Sequence, residues 1–183
     1  MSNLKPQYSI VIPFYNNMNI IRHCFPSIFR IQKNSSQVSQ IIAVDDNSTD
    51  GTSEWIKENY PEVTVIKNKT NLGFGKSCKI GIMSTENEWI ILLNSDIQVV
   101  SDIISPLTEI IQSVPDLFQI SFYSFKESGE KFEGQKYITS KTGLFKTRNN
   151  FLSEYATGLP YETFYACGGH CLLSKSKFQM LGG

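Results

Sequence analysis

The stretch Ile41-Ile-Ala-Val-Asp-Asp-Asn-Ser-Thr-Asp-Gly51 carries the reading from which the fold follows. Its first four residues form an unbroken apolar run, the pattern of a strand covered on both faces. The remainder is turn and cap chemistry, and Thr52 to Tyr60 then reads as a helix stopped ahead of Pro61. The same order recurs upstream, where Tyr8-Ser-Ile-Val-Ile12 closes at Pro13. Beyond it Ile20, Ile21, Cys24, Phe25, Ile28 and Ile31 return at helical spacing. Downstream lie a third strand (Val63 to Ile66), a loop (Asn71 to Gly75), a short helix (Lys76 to Ser84) and a fourth strand, Trp89-Ile-Ile-Leu-Leu93. A helix over Asp102 to Val114 follows, with Pro106 tolerated near its first turn. Phe118 to Phe125 then alternates as a half-buried strand. Strands alternating with helices predict an α/β fold, a mostly parallel sheet flanked by helices on both faces with right-handed crossovers.

From Lys126 to Leu159 the pattern lapses into an irregular excursion with room for one edge hairpin, and Tyr165 to Ser174 and Lys175 to Leu181 restore a strand and a helical turn. The 183 residues suit one domain, with residues 1–125 as its regular βα part and 126–183 as the excursion and its return. Seventeen basic residues balance seventeen acidic ones, so no global field draws the chain to nucleic acid or anionic lipid. The longest apolar runs fall far short of the roughly 20 residues that cross a bilayer, and Met1 to Tyr8 lacks signal-peptide character, so a cytoplasmic protein is expected. Cys24, Cys78, Cys167 and Cys171 are too scattered for a disulfide scaffold, and Cys167, His170 and Cys171 make a poor zinc signature without a second ligand pair.

The unusual polar clusters each sit directly after a strand. Pro13-Phe-Tyr-Asn-Asn17 follows the first, Asp45 to Asp50 the second and Asn94-Ser-Asp96 the fourth. In a parallel sheet all three share one edge, where ligands of open α/β sheets bind. Adjacent carboxylates repel unless donors or a cation satisfy them, so Asp45 and Asp46 point to a ligand offering N–H or hydroxyl groups. Ser48, Thr49 and Asp50 are read first as cap and turn residues. Asn94, Ser95 and Asp96 offer hard oxygens suited to Mg²⁺ or Mn²⁺, with a solvated loop as the alternative. Asn71-Leu-Gly-Phe-Gly-Lys-Ser77 fits neither a P-loop nor a dinucleotide fingerprint, because Thr70 and Cys78 stand where glycines are needed. It can still bring amides and Lys76 to a diphosphate at a helix N-terminus, or be a plain turn.

Taken in order, these pieces resemble the family 2 glycosyltransferases of the GT-A fold, which is Rossmann-like. They are Ile10 to Asn16, Ile41 to Gly51, Asn71 to Gly75, Leu92 to Asp96, and Gly168-Gly-His-Cys-Leu-Leu-Ser-Lys175 running into Leu181-Gly-Gly183. The resemblance implies transfer of a hexosyl group, with inversion, from a UDP-, dTDP- or GDP-linked sugar to a saccharide or lipid-linked acceptor in surface polysaccharide synthesis. It implies a nucleotide-sugar site of Pro13, Phe14, Tyr15, Asn16, Asp45, Asp46, Gly73, Lys76, Asn94, Ser95 and Asp96. Within it Pro13 and Tyr15 line the base, Asp46 accepts from its ring N–H, and Asp96 holds the divalent cation. Gly168, Gly169 and His170 would lie on the acceptor side. Asn94 stands where the family often has Asp, and the Leu-Leu-Asn-x-Asp form looks like the rhamnosyltransferase branch. The family's acidic general base is expected beyond Gly183; Glu154 and Glu162 match no such position. Membrane association would come only through segments outside these residues, at the inner face. The competing readings are a nucleotide-sugar-binding module without chemistry and a nucleotidyltransferase, which lacks a Gly-rich triphosphate loop here.

Overall fold

The computed structural model describes residues 5–133, 135–141, 144–150 and 167–183. The first two residues of the expected Tyr165–Ser174 strand, and Glu154 and Glu162, lie outside the described residues. The chain runs β1 (Tyr8–Phe14), α1 (Met18–Asn34), β2 (Val38–Asp45), α2 (Thr52–Asn59), β3 (Thr64–Lys67), α3 (Phe74–Met83), β4 (Trp89–Leu93) and α4 (Ile104–Ser113). Then come β5 (Gln119–Ser121), β6 (Ser124–Phe125), β7 (Lys131–Glu133), β8 (Gln135–Lys141), β9 (Leu144–Asn150), β10 (His170–Ser174) and α5 (Lys175–Met180). Six strands form the main sheet in the order β3-β2-β1-β4-β10-β5. Neighbours β3, β2, β1 and β4 are parallel, and β10 runs antiparallel to both β4 and β5. The sheet is therefore mostly parallel, as expected, and draws one strand from beyond the excursion.

The apolar runs are continuous because successive residues serve two different cores. Ile10, Ile12, Ile41, Ala43, Ile91, Leu93 and Leu172 face a core closed by Ile21, Phe25 and Ile28 of α1, Ile56 of α2, and Ile104 and Leu107 of α4. Val11, Ile42, Val44, Ile90, Leu92, Cys171 and Leu173 face the other, closed by Cys78 and Ile82 of α3. Gly81 lets α3 lie close on the sheet, since a Cβ there would collide with the Val11 side chain and sit 3.0 Å from Val44 Cγ2. Burial pushes the thiols of Cys78 and Cys171 up to about 12, so both are neutral core groups and not thiolate ligands.

Several boundaries differ from the sequence reading. The expected Phe118–Phe125 strand divides into β5 in the main sheet and β6, which pairs with β7. Phe122 still donates its amide to the His170 carbonyl at 3.1 Å, after which the chain leaves the sheet for the Lys126–Gly129 turn. Among the described residues the hairpin β8-β9 lies within the excursion, and a second small ribbon, β6-β7, joins the end of the expected strand to the excursion's start. The last strand begins only at His170, since Gly168 and Gly169 turn ahead of it. Asp102 lies outside α4 and caps it, its Oδ1 accepting the Ile104 amide at 2.8 Å. α3 starts two residues before Lys76, at Phe74, because Gly73 makes the turn with φ +85°.

Candidate functional site

The strand order reverses between β1 and β4: β2 and β3 extend the sheet to one side of β1, and β4 lies on the other. Such a reversal opens a crevice at the carboxyl ends of those two strands, the place where ligands of open α/β sheets bind. A cleft of about 320 Å³ occupies that crevice. Pro13, Phe14 and Tyr15 line it from the end of β1, and Asn94, Ser95 and Asp96 from the end of β4. Asp46 comes from the end of β2, and Asn71, Gly73, Phe74 and Ser77 from the loop into α3. Eight sequence-proposed residues thus meet in one cleft, while Asn71, Phe74 and Ser77 are additions.

Hydrogen bonds between the loops hold this edge together. The Asp46 amide donates to the Phe14 carbonyl at 2.9 Å. Asn16, at φ +44°, donates its amide to Ser48 Oγ at 2.9 Å and accepts the Thr49 amide on Oδ1 at 2.8 Å. Asn17 Nδ2 donates to Ser95 Oγ at 2.6 Å, bridging the β1 and β4 loops. Asp50 joins two helix starts, taking the Met18 amide on Oδ2 at 2.9 Å and the Thr52 amide on Oδ1 at 3.1 Å. Its capping role is the one expected from sequence.

Asp45 and Asp46 have different surroundings. Asp45 is completely buried and does not line the cleft. Its Oδ1 accepts the Ser48 amide at 2.6 Å, while Oδ2 accepts the Ser53 hydroxyl and lies 3.4 Å from Lys67 Nζ. Asp46 is 4% exposed and borders the cleft. Its Oδ1 accepts from Asn68 Nδ2 and the Leu72 amide, and Oδ2 from the Gly73 amide, each at 2.8 Å. Burial pushes the Asp46 carboxyl up, but the Leu72 amide, Asn68, the Gly73 amide and Ser77 together outweigh it and hold its pKa below the usual carboxylate range. Oδ1 thus takes the Asn68 amide group and the Leu72 amide, while Oδ2 takes the Gly73 amide on the side toward the loop.

The β4 loop is less self-satisfied. Asn94 Oδ1 is buried without a hydrogen-bond partner among the described residues. Asp96 is exposed to the cleft and makes no hydrogen bond or ion pair among them. These two oxygens and the Ser95 hydroxyl are hard donors, and an orphaned amide oxygen beside a solvated carboxylate fits a divalent cation that keeps waters and phosphate oxygens as its other ligands. Among the described residues no group of three or more His, Cys, Asp and Glu side chains gathers as an all-protein metal cage.

Lys76 and Asn16 are exposed and do not line the cleft. Gly168, Gly169 and His170 are outside its lining as well, yet Gly169 touches its rim: its carbonyl accepts the Asn94 amide at 2.7 Å. A Cβ on Gly169 would stand 2.6 Å from Asn94 Nδ2. His170 is buried and pairs in register with Leu93. Phe74 and Ser77 reach the cleft because α3 starts directly after Gly73, beside Asp46, and Asn71 lines it from the loop ahead of that turn, an arrangement no local spacing displays. An aromatic inside the Gly-rich loop was the available signal.

A family model for Glycosyl transferase family 2 matches residues 9–182, and the chain belongs to that family. It is similar to the glycosyltransferase GlyG of Streptococcus pneumoniae serotype 4, with 28% identity over 151 residues, 77% of this chain and 48% of GlyG. The fold is that of the mannosyltransferase PcManGT from Pyrobaculum calidifontis, solved with GDP-Man and Mn²⁺ (TM-score 0.55, 17% identity, 65% of this chain and 36% of that one). It is shared with S. aureus TarS 1-349 in complex with UDP-GlcNAc (TM-score 0.52, 23% identity, 58% of this chain and 31% of that one). The chain therefore spans about half of GlyG and about a third of each solved structure. No helix among the described residues is long and apolar enough to cross a membrane.

Proposed function

We propose that this chain binds the nucleoside diphosphate of a nucleotide sugar in the β1/β4 cleft and serves transfer of the hexosyl group to a saccharide or lipid-linked acceptor in surface polysaccharide synthesis. What supports the reading is the lining of the cleft at the strand-order reversal, with aromatic and apolar groups from the end of β1 and the unpaired Asn94 and open Asp96 oxygens from the end of β4. Tyr15 and Pro13 offer faces to the base, and the Asp46 carboxylate, which borders the cleft, suits a ring N–H. Asp96 and Asn94 would hold Mg²⁺ or Mn²⁺. When bound, that cation supplies charge stabilisation to the departing diphosphate.

In an inverting transfer the acceptor hydroxyl attacks the anomeric carbon as the bond from that carbon to the diphosphate oxygen breaks, the bonding pair leaves with the diphosphate, and the hydroxyl proton passes to an acidic general base. The contribution of this chain is to orient donor and cleft before that step. The contact of Gly169 with Asn94 supports an acceptor side at Gly168, Gly169 and His170. The reading includes cytoplasmic residence, at the inner membrane face where the acceptor is lipid-linked. Calorimetric titration with UDP, dTDP, GDP and CMP, each with and without Mn²⁺, tests it. Saturable, Mn²⁺-dependent binding of one nucleoside diphosphate is expected; failure of all four overturns the donor site.

A further inference from the structure

We infer that Phe74 is a nucleobase-stacking residue of this cleft, aimed there by the Asp46 carboxylate through the amides of Leu72 and Gly73. The inference rests on the donor-site reading above and adds to it the residue that grips the base from the α3 side.

Phe74 opens α3 and is 51% exposed, as is Tyr15 at the end of β1. Both line the same cleft, from different elements. Other exposed large side chains, among them Val100, Phe125, Met180 and Leu181, lie outside it. A single exposed apolar residue is ordinary on a protein surface; two aromatics bordering one concavity beside a buried carboxylate form a binding feature. Phe74 joins neither buried core, so packing does not account for its presence.

Its position is built by the chain. The Leu72 amide donates to Asp46 Oδ1 and the Gly73 amide to Oδ2, both at 2.8 Å. Asn68, whose Nδ2 reaches both Asp46 Oδ1 at 2.8 Å and Ser77 Oγ at 3.0 Å, ties the same carboxylate to the first turn of α3. Gly73 at φ +85° and ψ 162° then turns the chain into the helix, a conformation essentially confined to glycine. Phe74 is thus the first residue after a fixed turn, its backbone placed before any ligand arrives, which lowers the cost of ordering it on binding. A flat ring at that place fits the face of a heterocyclic base. Because every base offers a π face, Phe74 supplies affinity for nucleotides in general and leaves discrimination to hydrogen bonds such as one to the Asp46 carboxylate.

The experiment compares wild type, Phe74→Ala and Phe74→Trp in titrations with the nucleoside diphosphate that binds wild type and with inorganic pyrophosphate, both with Mn²⁺. Phe74→Ala is expected to weaken the nucleoside diphosphate by about 5- to 100-fold, the range of base stacking on an aromatic, and to leave pyrophosphate unchanged. Phe74→Trp is expected to retain affinity and to show fluorescence quenching with the nucleotide but not with pyrophosphate. Equal nucleotide affinity in wild type and Phe74→Ala, with an unshifted Trp signal, overturns the inference while leaving the donor site intact. Equal losses for both ligands overturn it as well, since they mark a distorted loop and not a lost base contact. Absence of nucleotide binding by wild type removes the donor-site reading itself, and this inference with it.

Discussion

The loops that follow β2 and β4 reach the same edge of the sheet and both end in acidic residues, yet they are satisfied in opposite ways. In the β2 loop both oxygens of Asp45 and both of Asp46 accept hydrogen bonds from the protein, and Lys67 lies beside Asp45. In the β4 loop Asn94 Oδ1 is buried without a partner among the described residues, and Asp96 stands open to the cleft. A buried polar atom left unpaired costs free energy, so Asn94 Oδ1 is the atom of this edge whose energy a ligand would improve most. Carboxylates that look alike in sequence divide into those the protein itself holds, Asp45 and Asp46, and the one it leaves open, Asp96.

The sharpest way to break this division is Asp45→Ala. It removes a buried carboxylate and leaves the Ser48 amide, the Ser53 hydroxyl and Lys67 without it. Breaking such a buried set is expected to cost on the order of 3 kcal/mol, read as a lowered urea midpoint. A cost below about 1 kcal/mol, within the ordinary spread for point changes, would mean that the β2 loop does not depend on its carboxylate.

Asp46→Asn should cost about 2 kcal/mol, since three donors lose a charged acceptor. It should also change the acid response. The Asp46 pKa is depressed in the folded state, so its contribution is complete above the unfolded carboxylate value of about 4 and is lost as pH falls through the lower folded value. Wild type should therefore lose stability between pH 5 and pH 2 (about the range spanned by carboxylates) more steeply than the variant. Some slope will remain, because hydrogen bonds also hold Asp50 and Asp102 below the usual range. Unfolding curves across that range decide the matter, and equal slopes would place the Asp46 contacts outside the folding balance.

Gly169→Ala tests the second loop from behind. The added methyl meets the Asn94 side chain, a flexible end that can move, so stability should fall by less than about 1 kcal/mol. The shift of Asn94 should nonetheless weaken Mn²⁺-dependent nucleotide binding by about tenfold, the scale of losing support behind a metal ligand. Unchanged binding would separate Asn94 from the cation.

Much of this was legible before any coordinates. The apolar runs at Tyr8, Ile41 and Trp89 give strands because each residue of them, on either face, has a helix to cover it. The three polar clusters shared an edge because parallel strands end together. What was illegible depended on contacts far apart in sequence. Nothing local distinguishes Asp45 from Asp46; the difference comes from Ser53 and Lys67 for one, and from Asn68, Leu72 and Gly73 for the other. The strand order that sets the cleft between β1 and β4 was likewise absent from any single stretch. The regular alternation of Phe118–Phe125 reads as one strand, whereas β10 holds Gln119 to Ser121 in register and Ser124–Phe125 pairs with β7 instead.

The smallest expected change in stability belongs to Asp96→Ala, and for that reason it tests the comparison most cleanly. Asp96 is exposed and makes no hydrogen bond or ion pair among the described residues, so its removal should move the unfolding free energy by no more than about 0.5 kcal/mol. If the open oxygens of the β4 loop exist to meet a cation and a diphosphate, the same change should abolish the effect of Mn²⁺ on nucleotide affinity while sparing contact with the base. The two loops then respond as mirror images: Asp45→Ala lowers stability foremost, Asp96→Ala lowers binding alone. A marked stability loss in Asp96→Ala, or nucleotide binding that still responds to Mn²⁺, would erase the distinction between a loop that builds the site and a loop that works in it.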